Sequence, residues 1–598
     1  MPEYQAPLRD IRFVLHDLLD APAHYAGLPG AEELSPDVQD AIINEGARFA
    51  EEVLAPLYAS GDAEGCSWKD GEVTTPTGFK EAFEQYVAGG WPGLNAPAEY
   101  GGQDLPASLA TVVNEMMGAA NWAWSMYPGL TSAAVRCLQF YGSEAQQRTW
   151  MQPLIEGRWS GTMCLTEAHC GSDLGLLRTR ATELGEGRYR LNGTKIFISS
   201  GEHDLTDNIV HMVLARIDGA PEGTRGISLF IVPKYRVDED GALAERNPIT
   251  CGSIEEKMGI HGSATCVMNL DDAEGYLVGE PNRGLNYMFI MMNTARLGTA
   301  LQGLAHTERA WQGALAYARE RLQMRSLSGP KNPDGPADPI LVHPDVRRML
   351  LTQKAIAEGS RAFIYWLALQ VDRADRLEGE EAEAAAALLA LLTPVAKAFC
   401  TEVGYECVNL GLQCFGGHGY VRESGMEQIV RDARIAMVYE GTTGIQALDL
   451  LGRKVMGDGG KALLTLTGMI EAFCREHGEH PALQPLLEPL QQLATELPEL
   501  AMSLGQKAME DAEEVGAAAV DYLMALGYVV LGWFWGQLAQ RAQQRLDAGE
   551  SDDFLHGKIK TARFYVARLM VPRFAMHRQA AEAGAATLMD LTDAEFGV

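Results

Sequence analysis

The sequence predicts a multidomain α+β protein in the order helical, β, helical, helical. Three observations lead to this. The spacing of apolar residues changes from helical to alternating near residue 161. It returns to helical near residue 284, and a glycine-rich break at 456–460 precedes a last helical stretch. Domains are therefore expected at 1–160, 161–280, 281–455 and 461–598. A chain of 598 residues can bury a large core and form more than one domain.

In the first domain, DVQDAIINEGARFAEEVLAPLYASGD places apolar residues three and four apart, the mark of one buried helix face. TPTGFKEAFEQYVAGGWPGL is a second helix, stopped by Gly89-Gly90 and Pro92. ASLATVVNEMMGAANWAWSMYPGLTSAAVRCLQFYG is apolar almost all round and should be buried. Its Trp122, Trp124 and Tyr127 read as core packing, with a pocket wall as the alternative. RTRATEL, GEG and RYRLNGTKIFISSG then alternate like a hairpin with turn glycines, and NIVHMVLARI, GISLFIVPKYRV and SATCVMNLDD continue a β-domain of seven or eight strands. Residues 285–324 predict one helix about 60 Å long at 1.5 Å per residue. A Pro/Gly-rich loop follows at 326–339, and EAEAAAALLALLTPVAKAFCTEVGYECVNLGLQ predicts a further long helix kinked at Pro394. MGDGG at 456–460 reads as a linker to the last helices.

Apolar and charged fractions of 47% and 22% are those of an ordinary soluble protein, but the net charge is −31. So acidic a chain argues against nucleic acid and against anionic membrane surfaces, both of which select basic patches. The ten cysteines include no CxxC, so they are expected as reduced thiols in a cytoplasmic protein. The N-terminus mixes charges with apolar residues and does not read as a signal peptide. YLMALGYVVLGWFWG, 522–536, falls short of the ~20 residues of a membrane span and is expected as a buried helix.

No HExxH, GxSxG or Walker loop occurs. QCFGGHGY, 413–420, follows a helix rather than a strand, which argues against a Rossmann site. Four polar, glycine-bearing stretches lie at element junctions instead: MCLTEAHCGSDLG (163–175), LNGTKIFISSG (191–201), QCFGGHGY and VRDARIAMVYEGTTG (430–444). Each taken alone reads as a turn or a cap. Glu440 before Gly-Thr-Thr-Gly, for instance, suits the start of a helix.

In this order, within a helical-β-helical layout, the four stretches resemble the flavin-dependent acyl-CoA dehydrogenases. Thr166-Glu167 with Gly171-Ser172-Asp173 fits the first family pattern, and Asn192-Gly193-Thr194-Lys195 with Phe197-Ile198-Ser199 fits the second. Gln413 through Tyr420 fits the third. Arg431-Asp432, Tyr439-Glu440-Gly441-Thr442 and Ile445-Gln446 fit the fourth. The resemblance covers roughly residues 35 to 455. The added N- and C-terminal segments look like the long, ~600-residue branch of the family. That branch includes 3-methylmercaptopropionyl-CoA dehydrogenases and broad-range fatty acyl-CoA dehydrogenases.

The resemblance implies FAD as cofactor and Glu440 as the base that removes the α-proton of an acyl-CoA. The backbone N–H of Glu440, with a flavin ribityl hydroxyl, would bind the thioester oxygen. The β-hydride would pass to flavin N5, leaving a trans-2-enoyl-CoA. Desolvation by the acyl chain would raise the pKa of Glu440. The resemblance further implies flavin contacts from Met163, Leu165, Thr166, Gly171, Ser172, Phe197, Ile198 and Ser199. Arg321 and Gln323 would hold the pyrophosphate of a neighbouring subunit's FAD, Gln413, Gly416 and Gly417 its adenosine side, and Thr442 and Gly444 phosphate. Ser172, Asn293, Arg296, Tyr439 and Gly441 would contact the acyl-CoA, with Arg296 alternatively a plain ion-paired helix residue.

The chain departs from the family wording in three places. Phe197 stands where Trp is common, Ala168-His169 replaces a Pro-containing version, and Met324-Arg325 replaces Phe-Gly. His169 reads as a loop residue. The resemblance also implies at least a homodimer and an electron-transfer flavoprotein as acceptor, with no metal. Two alternatives share the fold: an acyl-CoA oxidase and a DNA-associated flavoprotein. The acidic ELPEL, MEDAEEVG and DAGESDD of the last region argue against the second.

Overall fold

The computed structural model describes residues 3–238 and 240–597. They form two compact units, one of residues 45–298 and one of residues 3–44 with 299–597.

The 45–298 unit joins helices to a sheet. Helices α1 (Ala107–Ala120), α2 (Trp122–Tyr141) and α3 (Glu144–Ile155) follow one another closely. Asn121 caps α2 by accepting from Trp124 N at 3.1 Å, and Ser143 with Gln146 forms a reciprocal capping box at the start of α3. Seven strands make the main sheet: β1 (Trp159–Cys164), β2 (Arg180–Gly185), β3 (Arg188–Ser199), β4 (Asn208–Ile217), β5 (Ile227–Pro233), β6 (Ile249–Ile254) and β7 (Thr265–Val278). A separate two-stranded pair lies at Tyr235–Val237 and Leu243–Arg246.

The pairings β7–β3, β3–β2, β2–β4, β4–β5 and β5–β7 close a five-strand circuit, with β6 added beside β7 and β1 beside β4. Closure leaves the circuit itself without open edges. Helix α2 packs directly on β1. A Cβ at Gly161 would lie 2.6 Å from Ala134 Cβ, and Gly161 N donates to Thr131 Oγ1 at 3.1 Å. Leu138, Met151 and Leu154 of the helices share a core with Met212, Leu229 and Ile231 of the sheet. Trp124 and Tyr127 are core residues. Trp124 Nε1 donates to Phe79 O at 3.1 Å and the Tyr127 hydroxyl to Gly262 O at 3.0 Å.

Helix α4 (Gly284–Glu320) runs from the first unit into the second. It is followed by α5 (Pro344–Arg376) and by α6 (Gly379–Cys414), which continues through Pro394. α4 and α6 cross backbone to backbone, since a Cβ at Gly303 would lie 2.3 Å from Cys400 O. Residues 456–460, read from the sequence as a linker, form a tight turn in which Asp458 accepts from Gly460 N and Ala462 N at 2.8 and 3.0 Å. Helices α7 (Lys461–His477), α8 (Gln484–Ala508), α9 (Glu513–Asp547), α10 (Asp553–Tyr565) and α11 (Val571–Glu582) complete the second unit. By length and composition, α6 and α9 could each cross a membrane, yet 72% of each apolar window is buried inside the protein. Trp535 of α9 donates from Nε1 to Ala355 O of α5 at 2.9 Å. This segment is a core helix here, as expected from its short apolar run.

The first residues do not group with 45–160. Residues 3–44 belong with the later helices, and a buried ionic cluster holds them there. Asp10 meets Lys558 of α10 and Arg361 of α5. Arg361 donates to Glu308 of α4 at 2.8 Å, and Lys558 to Glu358 at 2.9 Å, with Lys354 also on Glu358. Three carboxylates thus meet three cations, and Asp10, Glu308, Glu358, Arg361 and Lys558 are all buried. Burial alone would raise the Asp10 pKa, but Lys558 and Arg361 hold it down at about 2. Phe13 and Phe554 pack edge to face at 5.3 Å beside the cluster.

Candidate active site

Within the 45–298 unit, the first two glycine-bearing stretches come together. The chain leaving β1 runs beside β3. Ile196 N donates to Thr166 O at 2.9 Å, and Lys195 Nζ donates to Leu165 O at 3.0 Å and to Glu167 Oε1 at 2.8 Å. Glu167 also accepts from Arg178 N, Thr179 N and Thr179 Oγ1 at 2.7, 3.0 and 2.7 Å. Burial opposes ionisation of Glu167, but Lys195 and these donors outweigh it, holding the carboxyl at about 2. Burial lowers the pKa of Lys195 against the opposing pull of Glu167. This pair was present in the family wording, but its structural role was not read from the sequence.

The frame it builds carries the expected flavin residues. Gly171 approaches the Thr166 methyl closely enough that a Cβ would lie 3.3 Å from it. Met163 and Ile198 are buried, Thr166 and Ser199 partly exposed, and Gly171 and Ser172 exposed on the turn after Glu167. Phe197 is 59% exposed and its backbone is left-handed at φ +56°. A bulky residue in that region is a strained conformation that must be held by its surroundings. The exposed His169 donates to Leu176 O at 2.9 Å, a loop role as expected. Glu167, His169 and Cys170 have ligand atoms within 4.8 Å of one another, but the carboxylate of Glu167 is already occupied by its four donors. On α4 in the same unit, Arg296 is buried and donates to Asn293 Oδ1 at 3.3 Å. We expect Lys195→Met to strand the buried Glu167 charge and lower flavin content per subunit. Absorbance of the purified protein at the flavin band checks this.

In the second unit the expected residues fall in two places. One is where α4 and α6 end. Tyr317 stacks on Phe415 with ring centroids 4.1 Å apart, so Arg321 and Gln413 share one neighbourhood with the exposed Gly416 and Gly417. The segment carrying Arg321 and Gln323 is extended. Gln323 N donates to Asp338 O at 3.0 Å and Ile340 N to Arg321 O at 2.8 Å. The 326–339 loop is ordered around the buried Asp338, whose carboxylate accepts from Ser326 N, Lys331 N and Asn332 N at 2.8, 2.9 and 2.7 Å. Arg325, in the place of a family glycine, closes this loop through Asn332 O and Gly335 O at 2.7 and 2.6 Å. Met324 beside it adopts φ +59°. We expect Asp338→Ala to release the loop, seen as faster hydrogen exchange across 324–340.

The other place is the Glu440 turn. Thr442 caps the helix Thr443–Leu448, accepting from Ile445 N at 3.3 Å, so this stretch does start a helix. Tyr439 OH donates to Gln302 Oε1 of α4 at 2.5 Å. Glu440 is partly buried at φ +57° and Gly441 follows at φ +87°. Gln446 Nε2 donates to Glu440 O at 3.1 Å, Lys397 Nζ to Gly441 O at 2.6 Å, and Thr443 Oγ1 to Glu402 Oε1 at 2.5 Å. Lys397 and Gln413 are sixteen residues apart on α6, which separates the two places by about 24 Å along the helix. Sequence reasoning missed Gln302 and Lys397. A charged residue inside the apolar run LLTPVAKAFC was a usable signal for Lys397.

Four family models match the chain in order: "Acyl-CoA dehydrogenase, N-terminal domain" over 36–158, "middle domain" over 162–273, "C-terminal domain" over 282–456, and "Acetyl-CoA dehydrogenase C-terminal like" over 466–592. The chain is 43% identical to the 3-methylmercaptopropionyl-CoA dehydrogenase of Ruegeria pomeroyi, across 97% of this chain and 98% of that one. It is 34% identical to the broad-specificity linear acyl-CoA dehydrogenase FadE5 of Mycobacterium tuberculosis across the whole of both. Among solved structures, an acyl-CoA dehydrogenase from Bacillus anthracis complexed with FAD shares the fold, with TM-score 0.65 and 22% identity, across 95% of this chain and 98% of that one.

Proposed function

The chain belongs to the acyl-CoA dehydrogenase family, and on that premise we propose that it oxidises fatty acyl-CoA thioesters to trans-2-enoyl-CoA in fatty acid β-oxidation, with Glu440 as the base. The observation that carries this reading is the Glu440 turn. A carboxylate stands on a strained backbone whose carbonyls at 440 and 441 are each tied by a side chain. Strain of this kind is held where a group must be presented in one orientation.

The residues fit FAD. Phe197 offers an exposed aromatic face on a backbone held left-handed, and Thr166 and Ser199 stand on the same frame with partly exposed side chains. In this reading Met163, Leu165, Thr166, Gly171, Ser172, Phe197, Ile198 and Ser199 hold the flavin end, while Arg321 and Gln323 hold the pyrophosphate, and Gln413, Gly416 and Gly417 the adenosine side, of a neighbouring subunit's FAD. When bound, FAD supplies the acceptor for the β-hydride. The chain's own residues do the rest. Glu440 takes the α-proton onto a carboxylate oxygen, and its backbone N–H stabilises negative charge developing on the thioester oxygen. Gly441 lets the ligand approach the backbone closely. Ser172, Asn293, Arg296 and Tyr439 orient the acyl-CoA, and Thr442 and Gly444 hold phosphate. An electron-transfer flavoprotein receives the electrons, and a cytoplasmic assembly of at least two subunits completes the reading.

A second reading, oxidation of 3-methylmercaptopropionyl-CoA, is favoured by the 43% identity to the Ruegeria pomeroyi enzyme. Anaerobic titration with 3-methylthiopropionyl-, butyryl-, octanoyl- and palmitoyl-CoA, followed by flavin absorbance, decides between them. We expect the fatty acyl-CoAs to bleach the flavin fastest. Fastest bleaching by the sulfur compound selects the second reading, and a flavin that no acyl-CoA bleaches overturns both.

A further inference from the structure

Lys397 is wholly buried on α6, between Ala396 and Ala398 and three residues past Pro394. An ammonium in such surroundings is retained only where specific acceptors compensate its lost hydration. Its Nζ donates to Gly441 O at 2.6 Å. Five residues further along α6, Glu402 accepts from Thr443 Oγ1 at 2.5 Å. Gln446, from the helix that follows the turn, donates to Glu440 O at 3.1 Å.

Glu440 and Gly441 are consecutive left-handed residues, at φ +57° and +87°. Such a pair needs its conformation fixed from outside. A side chain at 441 would be strained at φ +87°, and its Cβ would lie 2.3 Å from the Gln446 Nε2 that holds Glu440 O. In a planar trans peptide the C=O and the next N–H point in opposite directions. Holding Gly441 O on Lys397 therefore fixes the direction of Thr442 N–H, and holding Glu440 O on Gln446 fixes that of Gly441 N–H.

We propose that Lys397 is a positioning residue that locks the strained Glu440–Gly441 turn and so sets the orientation of the base. This rests on the reading of Glu440 as that base. The test uses full-length, flavin-loaded protein with Lys397→Met, Lys397→Arg and Glu440→Gln side by side.

For Lys397→Met we expect kcat to fall about 100-fold with KM nearly unchanged, the cost of a misplaced reacting group. The kinetic isotope effect with α-deuterated substrate should rise as proton removal becomes limiting. Without any ligand, hydrogen exchange of a peptide covering 438–446 should accelerate, while flavin content and melting temperature hold. Lys397→Arg, which keeps a cationic donor, should restore part of kcat. If Lys397→Met does not fold, Lys397→Gln, whose neutral donor sits one atom short of the Lys397 ammonium, takes its place with the same readouts.

Wild-type kcat, isotope effect and exchange in the substituted protein would overturn the proposal. Lys397→Met at wild-type rate with Glu440→Gln inactive removes only the role of Lys397. Glu440→Gln at wild-type rate removes the base assignment and the Lys397 proposal together.

Discussion

Glu440→Gln is expected to give a folded, yellow protein whose turnover is lower by up to about 10⁴-fold, the upper end of what a general base contributes. The amide has nearly the shape of the carboxylate but cannot hold the α-proton. Folding should survive, because three contacts that hold the turn are made by other atoms. Gln446 binds the Glu440 carbonyl, Lys397 binds the Gly441 carbonyl, and Thr442 caps the following helix. The φ of +57° is as strained for Gln as for Glu. Glu440→Asp should retain more activity than Gln but lose about 10²-fold, because the shorter side chain withdraws the carboxylate by more than 1 Å. Stopped-flow flavin bleaching under anaerobic conditions checks both variants. Bleaching of Glu440→Gln at the wild-type rate would place the base elsewhere.

Lys558→Met should be the most destabilising single change, at about 3–5 kcal/mol, the cost of stranding buried charge. It leaves Asp10, Glu308 and Glu358 with Arg361 and Lys354 as their cationic partners in this cluster. Pairing it with Asp10→Leu removes one charge of each sign, and that double variant should be more stable than Lys558→Met alone. Urea midpoints of the three proteins check this, and limited proteolysis at Arg9 and Arg12 reports release of the first residues. The pH dependence has a definite sign. The folded Asp10 carboxyl lies at about 2, below its ordinary value of 3.8. Its contribution is therefore fully present above 3.8 and lost as pH falls through about 2. Asp10→Asn should flatten the acid side of the stability curve.

These residues also show what was legible in the sequence. Local periodicity marked the helix read over 285–324, found as Gly284–Glu320. It overran because Arg321 to Met324 keep an apolar rhythm while the chain there turns extended to pair with Asp338 and Ile340. Alternation marked the β-domain and nearly its strand number. The pairing of β5 with β7 that closes the circuit depends on partners far along the chain, which no local pattern encodes. The grouping of residues 3–44 with the later helices was hidden for the same reason, since Asp10 finds Arg361 351 residues away and Lys558 548 residues away. At the site, Glu440 and the glycine-bearing turns were legible only through the family resemblance. The Glu167–Lys195 pair stood in those same stretches, yet its geometry needs β1 and β3 folded together.

The Asp10–Lys558 contact bears on the order in which the newly made chain can fold. At roughly 5–20 residues per second, the ribosome needs about 30–110 s to add the 548 residues between the two partners. Over that interval Asp10, Ile11 and Phe13 have emerged without the helix that finally covers them. A nascent chain halted before residue 553 lacks all of α10, and should expose its leading end however complete the 45–298 unit already is.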